Sequence, residues 1–266
     1  MREFGRSGWL IFRLSALELW RNPLGLLLLV VIPAVFIGMT LWTASEQSIP
    51  LKIFFGAETA QVLLTQKQLG LVFVSAAVSG FLAAYSALIL FHNDFGYFRF
   101  CAFMGLNPTV FTTARFAAFL GVTVLLAALT TLALGRLTRL EQPLSVFGGF
   151  LLITVIYGAY GGIVGVLSRS FMPALLLIIL LANLDAGWLQ NPLYYSAAQE
   201  SQIIRCLPAF YPSQLVFSAA FTGRHNATAL GGSLAWGVAT IAVLILAVQL
   251  RMRGPLSADA RFDQWN

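Results

Sequence analysis

Few side chains in this 266-residue chain can do chemistry, and their spacing excludes most of it. The two lysines, Lys52 and Lys67, follow Leu51 and Gln66 rather than glycine. The chain therefore has no phosphate-binding loop of the G-x-x-x-x-G-K-[S/T] form and cannot hydrolyse nucleotide through one. Its histidines, His92 and His225, fall in segments assigned below to opposite sides of a membrane, and serines and threonines have no histidine or lysine beside them as a base. No two carboxylates share a helical face within an apolar run, and no His/Cys/Asp/Glu group has metal-site spacing. The chain is accordingly read as a non-enzyme with no catalytic, cofactor-binding or metal-ligating residues. One acid lies inside an apolar run, Asp185, two residues after Asn183. In lipid such an acid either meets water or a partner, lining a pathway or an interface, or reaches the headgroup zone near the end of its helix.

The surrounding composition explains why so little polar chemistry is present. Hydrophobic residues make up 59% of the chain and charged residues 10%, with a mean hydropathy of +0.83. One soluble core could not hide that much apolar surface. A helix crossing hydrocarbon needs about 20 mainly apolar residues, and six runs qualify: 24–44, 71–92, 114–135, 145–167, 172–189 and 229–250. They are solidly apolar rather than alternating, which selects helices over barrel strands. The first run follows a charged, Trp-containing stretch without a clear small-residue cleavage site, so it is expected to stay in the mature protein.

If the amino terminus is cytoplasmic, Arg2, Arg6, Arg13, Arg21, Arg99, Arg115, Arg169, Arg251, Arg253 and Arg261 are inside, and Lys52, Lys67, Arg136, Arg139, Arg205 and Arg224 outside. The bias predicts cytoplasmic termini, although Arg136 and Arg139 crowd a short outer loop. This topology absorbs most of the +6 net charge, leaving no nucleic-acid footprint. Cys101 and Cys206 then lie on opposite sides and cannot pair within one chain. Asn226-Ala227-Thr228 matches a glycosylation sequon but lies almost against the sixth crossing, as a chance match would.

The segments between crossings carry their own signals. Residues 6–21 place Trp9, Phe12, Ala16 and Trp20 at helical spacing, with Arg13 and Glu18 elsewhere on the wheel and Ile11 among the polar positions. This predicts an interfacial helix or a tryptophan anchor. Asn22-Pro23 then starts the first crossing, which Pro33 should kink. Residues 45–70 are too polar to cross and are expected at the outer surface as a short helix. The inner loop 92–115 packs aromatics between Asp94, Arg99 and Arg115 and turns at Gly105-Leu106-Asn107-Pro108. It reads as helix, turn and new helix, offering either a partner-docking surface or aromatics seated among headgroups. In the fourth crossing Gly158/Gly162 and Gly161/Gly165 form two G-x-x-x-G pairs, read as close packing within one subunit ahead of a dimer contact. Residues 190–228, with Pro192, Pro208 and Pro212, are too interrupted to cross and predict a re-entrant or interfacial element.

The Arg21-Asn22-Pro23 break, the inner turn at Gly105-Leu106-Asn107-Pro108 and the Pro208…Pro212 segment occur in an order that, with the helix count and length, resembles the ABC transporter type 2 permease family over essentially the whole chain. The resemblance implies an all-α integral membrane protein with six transmembrane helices, an N-terminal interfacial connecting helix (6–21), a cytoplasmic coupling helix (94–107) and a re-entrant outer segment (190–228) before the last helix. It implies an exporter permease in a bacterial plasma membrane, moving an amphipathic or lipid-like substrate. Its partners would be two ATPase subunits, which bind ATP and magnesium, and a second, identical or related, permease. Coupling contacts are expected at Asp94, Arg99, Phe100, Met104 and Asn107, although the family's usual glutamate and G-T pair are missing there. Asn183 and Asp185 are the pathway or interface candidates. The rival readings are a stand-alone carrier or channel, which should bury more ionisable groups than Asp185, and an intramembrane enzyme, which lacks its constellation.

Overall fold

The computed structural model describes residues 2–56, 58–92, 108–191, 194 and 201–253. Its elements run α1 (Arg2–Trp20), α2 (Pro23–Thr43), β1 (Ser48–Phe55), β2 (Glu58–Thr65), α3 (Gln66–His92), α4 (Pro108–Leu137), α5 (Pro143–Leu167), α6 (Phe171–Ala182) continuing into a π-helical turn (Asn183–Leu189), α7 (Ser201–Arg205), α8 (Phe210–Phe221) and α9 (Ala227–Arg253). Six helices are long and apolar enough to cross a membrane: α2, α3, α4, α5, α6 with its π turn, and α9. The chain is a helical, multi-pass membrane protein. All six expected crossings are present, but α3 begins at Gln66 and α4 at Pro108, each five or six residues before the apolar run, because polar residues extend a helix beyond the hydrocarbon at no cost.

The hub of the bundle is α5, which packs against α3, α4, α8 and α9. Its glycines decide how closely. A methyl group on Gly161 would fall on the backbone carbonyl of Ala84 in α3, and one on Gly158 would fall on the ring of Phe119 in α4. A methyl group on Gly162 would lie 3.0 Å from the Leu244 side chain of α9, and one on Gly165 3.2 Å from the Leu88 carbonyl oxygen. Both G-x-x-x-G pairs thus serve contacts within the subunit, where small residues let backbones approach. By contrast, α2 buries none of its apolar window. Asn22 caps it, accepting from the Gly25 N–H at 2.9 Å, and Pro33 lies within a continuous helix.

Two expectations need correction. Residues 48–65 form no short helix; they form an antiparallel hairpin, β1 against β2, with Gly56 at φ +72° after β1. The alternation Leu51 buried, Lys52 exposed, Ile53 buried is a strand period, and a glycine at positive φ suits a hairpin turn. This hairpin is the one sheet among the described residues of an otherwise helical fold. On α1 the packed face is Ile11, Phe12, Ser15, Glu18 and Leu19, against α4. Trp9 and Trp20 are exposed, so Ile11, which looked misplaced on the wheel, belongs to the buried side. The described part of the 190–228 region, expected to be re-entrant or interfacial, contains α7 and the buried α8. At about 18 Å for twelve residues, α8 is too short to span about 30 Å of hydrocarbon. It fits between its neighbours because Gly149 of α5 and Gly232 of α9 leave room for Val216 and Tyr211.

The hairpin is sewn to this end of the bundle. Phe54 donates its N–H to Gln214 Oε1 of α8 at 3.1 Å, and Asn226 donates from Nδ2 to the Phe54 carbonyl at 2.8 Å. Asn226 Oδ1 also accepts from Ala229 N–H at 3.0 Å, capping α9. Buried and doubly engaged, Asn226 is a structural cap rather than a modification site. The expected coupling helix 94–107, with Asp94, Arg99, Phe100, Met104 and Asn107, and Cys101 lie outside the described residues. Replacing Gly161 by alanine is expected to lower stability by about 1–3 kcal/mol through overpacking. Gly121→Ala, with nothing within 4 Å of the added methyl, should cost nothing; thermal unfolding of the two variants in detergent checks both.

Candidate functional site

The fifth crossing changes character where its sequence turns polar. Asn183, Asp185 and Gly187 are weak helix formers, and from Asn183 to Leu189 the chain widens to a π-helical turn in which Gln190 N–H donates to the Asp185 carbonyl, five residues back, at 3.1 Å. Such turns insert extra backbone and redirect side chains, and they recur at functional sites. Here Asn183 and Asp185 are sent in different directions.

Asn183 lines a lateral cleft of about 830 Å³ between α2, α3 and the fifth crossing. Its walls are apolar: Ile32 and Phe36 from α2, Phe73, Val74, Ala77, Val78 and Phe81 from α3, and Ile179 and Ala182 from α6. Polar groups gather at the hairpin end, where Asn183, Trp188, Asn191 and Tyr194 form the rim, and no lining residue is charged. Asn183 Nδ2 is committed to the Ile179 carbonyl at 2.8 Å. Trp188 and Tyr194 meet edge to face at 6.2 Å. A neutral, mostly apolar cleft of this size with a few convergent polar groups has the character of a ligand site.

Asp185 points away from that cleft into the bundle. Its carboxylate accepts from Tyr157 Oη of α5 at 2.6 Å, from Gln190 Nε2 at 3.3 Å and from the backbone N–H of Ala209 at 3.2 Å. Ala209 precedes α8 and offers no side-chain cap, so the carboxylate supplies what an acidic residue in the first turn would. The acid is thus a three-way tie between α5, the π turn and α8. Of the two candidates, Asn183 lines the cleft and Asp185 is bonded to partners in the bundle interior.

A second polar node sits at the opposite end, where α1 meets the ends of α3 and α4. Buried Arg115 donates to the Leu90 carbonyl and to Glu18 Oε2, the latter at 3.3 Å, with its guanidinium 5.2 Å from the Phe111 ring centre. Arg115 joins the helices on either side of segment 93–107 to α1. His92 closes the same end, its Nδ1 lying 3.3 Å from the Gly165 carbonyl. Burial pushes the Glu18 carboxyl above its usual range, partly offset by the Arg115 charge.

Sequence reasoning found Asn183 and Asp185 but not Tyr157, Gln190 or the rim residues Trp188, Asn191 and Tyr194. The aromatic pair carried the signal of a membrane-interface belt; nothing in spacing linked Tyr157 to an acid 28 positions later. Neither a protein-family model nor a curated protein matches this chain.

A carboxyl whose proton is held more tightly in the folded state adds stability below about pH 4.5 that is lost as pH rises through its raised value. Glu18→Gln should therefore flatten the pH dependence of the unfolding midpoint above about pH 4.5; an unchanged slope would place the titration elsewhere.

Proposed function

We propose that this chain is the transmembrane permease subunit of an ABC exporter, carrying an amphipathic or lipid-like molecule out of the cytoplasm or inner leaflet while two separate ATPase subunits hydrolyse ATP with magnesium. The observation behind this is the cleft: an apolar, uncharged hollow opening sideways between helices that cross the membrane. Cargo that already dissolves in lipid can enter such a hollow without crossing water, and an uncharged wall costs it no ion desolvation. Without a phosphate-binding loop, energy has to come from a companion.

With the α1 end cytoplasmic, as the arginine bias suggests, the cleft lies toward the outer face and α8 serves as the re-entrant element. Closure of the ATPase subunits reaches the bundle through segment 94–107, where Asp94, Arg99, Phe100, Met104 and Asn107 supply the docking surface. The Arg115–Glu18 node passes that movement to α1 and to both flanking helices. Only a surface contacted differently in two states can transmit such a change. A second permease, identical or related, completes the unit beside α2, whose apolar face has the least protein cover. A carrier working alone would use Asp185 as an ion site, yet that carboxylate is already held by three donors of its own chain.

Affinity purification from the native membrane should bring down an ATPase subunit, and the chain alone should hydrolyse no ATP. Phe100→Glu or Met104→Glu is expected to leave insertion intact, preserve ATP hydrolysis by the assembled complex and abolish transport. Unaided ATP turnover, or normal transport in those variants, would overturn the assignment.

A further inference from the structure

We propose that Asp185 is a positioning residue for the lateral cleft, holding the π-helical turn so that Asn183, Gly187 and Trp188 form a wall fitted to an uncharged, single-chain amphiphile. Two faces of one turn are involved. On one, Asp185 is fastened to Tyr157, Gln190 and the Ala209 N–H. On the other, Asn183, Gly187 and Trp188 line the cleft. A π turn is a strained register of a helix that reverts to ordinary α-helix unless something outside it favours the wider form. The Tyr157 and Ala209 bonds come from outside the turn, so they can do this. Reversion would rotate the residues beyond Asn183 and move Trp188 off the cleft wall.

The lining selects the occupant's chemistry. Phe36, Phe73, Phe81 and Ile179 suit an apolar chain, and the hydrogen-bonding rim suits a polar head at one end. A charged head would lose water there without meeting an opposite charge, because none of the lining residues is ionised. The head is therefore neutral, of the hydroxyl or amide kind. Occupancy is also felt beyond the cleft, since the carboxylate that shapes the wall stands at the start of α8, and α8 holds the hairpin through Gln214. This role for Asp185 deepens the permease reading of the cleft, but it requires no companion subunit.

The test uses the full chain in phosphatidylcholine nanodiscs and a monoacylglycerol with a brominated chain, whose bromines quench indole fluorescence on contact. Subtracting a Trp188→Phe protein isolates Trp188, while exposed Trp42 on α2 reports bulk lipid. Saturable quenching of Trp188 by the monoacylglycerol is expected, with a brominated fatty acid, ionised at its head, binding about tenfold more weakly. Asp185→Ala, which removes the ties, should weaken monoacylglycerol binding by about tenfold. Asp185→Asn keeps an oxygen for Tyr157 and Ala209 and should stay within about twofold. If Asp185→Ala does not fold, Tyr157→Phe takes its place, with a several-fold loss expected. Non-saturating quenching, equal binding of the charged probe, or wild-type binding in Asp185→Ala, or in Tyr157→Phe where it takes that variant's place, would overturn the proposal. Because no ATPase subunit is present, these outcomes are independent of the co-purification result.

Discussion

Hydrocarbon offers no hydrogen bonds, so every polar group that enters it has to find a partner within the protein. Most of the described polar contacts answer that demand. Thr40, Thr43, Ser86, Thr131 and Ser233 return their hydroxyls to carbonyls four residues back on their own helices. Thr154, fully buried in α5, reaches across to the Thr123 carbonyl of α4 as well as to its own helix. Asp185 and Arg115 extend the rule to charge, each surrounded by donors or acceptors from two or more elements. Polar residues inside such a bundle become its cross-links, because the same bond that satisfies a group also fixes the helix carrying it.

Between those cross-links the helices are held by shape. Lipid tails are as apolar as leucine, so burial against a neighbouring helix gains little over burial in lipid, and close packing supplies the association. The glycines of α5 show where this happens: Gly158, Gly161 and Gly165 admit α4 and α3, and Gly149 admits α8. With α5 surrounded, the outward faces are left to α2 and to the fifth crossing, and the cleft forms where these two only partly cover α3. Its position follows from the packing of the hub.

The two polar nodes stand at opposite ends of the molecule. At one end Arg115 and Glu18 bind α1 to the helices bordering segment 93–107; at the other, Asp185 binds the cleft wall to α8 and, through Gln214, to the hairpin. Helix α5 meets both ends, through Tyr157 at the Asp185 node and through the Gly165 carbonyl beside His92 at the other. The arrangement places one closely packed helix between the two nodes.

The sequence alone determined the local features. Six apolar runs predicted six crossing helices, Asn22-Pro23 marked a helix start, paired glycines marked a close-packed face, and the two lysines ruled out a phosphate loop. Each is a property of residues near one another in the chain, where a repeat or a motif is enough. The strand alternation at Leu51–Ile53 and the Gly56 turn were also legible, although the overall polarity of the segment suggested a surface helix instead. Tertiary structure decided which residues became partners. Tyr157 meets Asp185 because α5 runs beside the fifth crossing, and Ile11 is buried on α1 because α4 covers that side. Periodicity reports which residues share a face of one helix, but the neighbour that face meets depends on the packing of all the helices together, and no short stretch of chain contains that information.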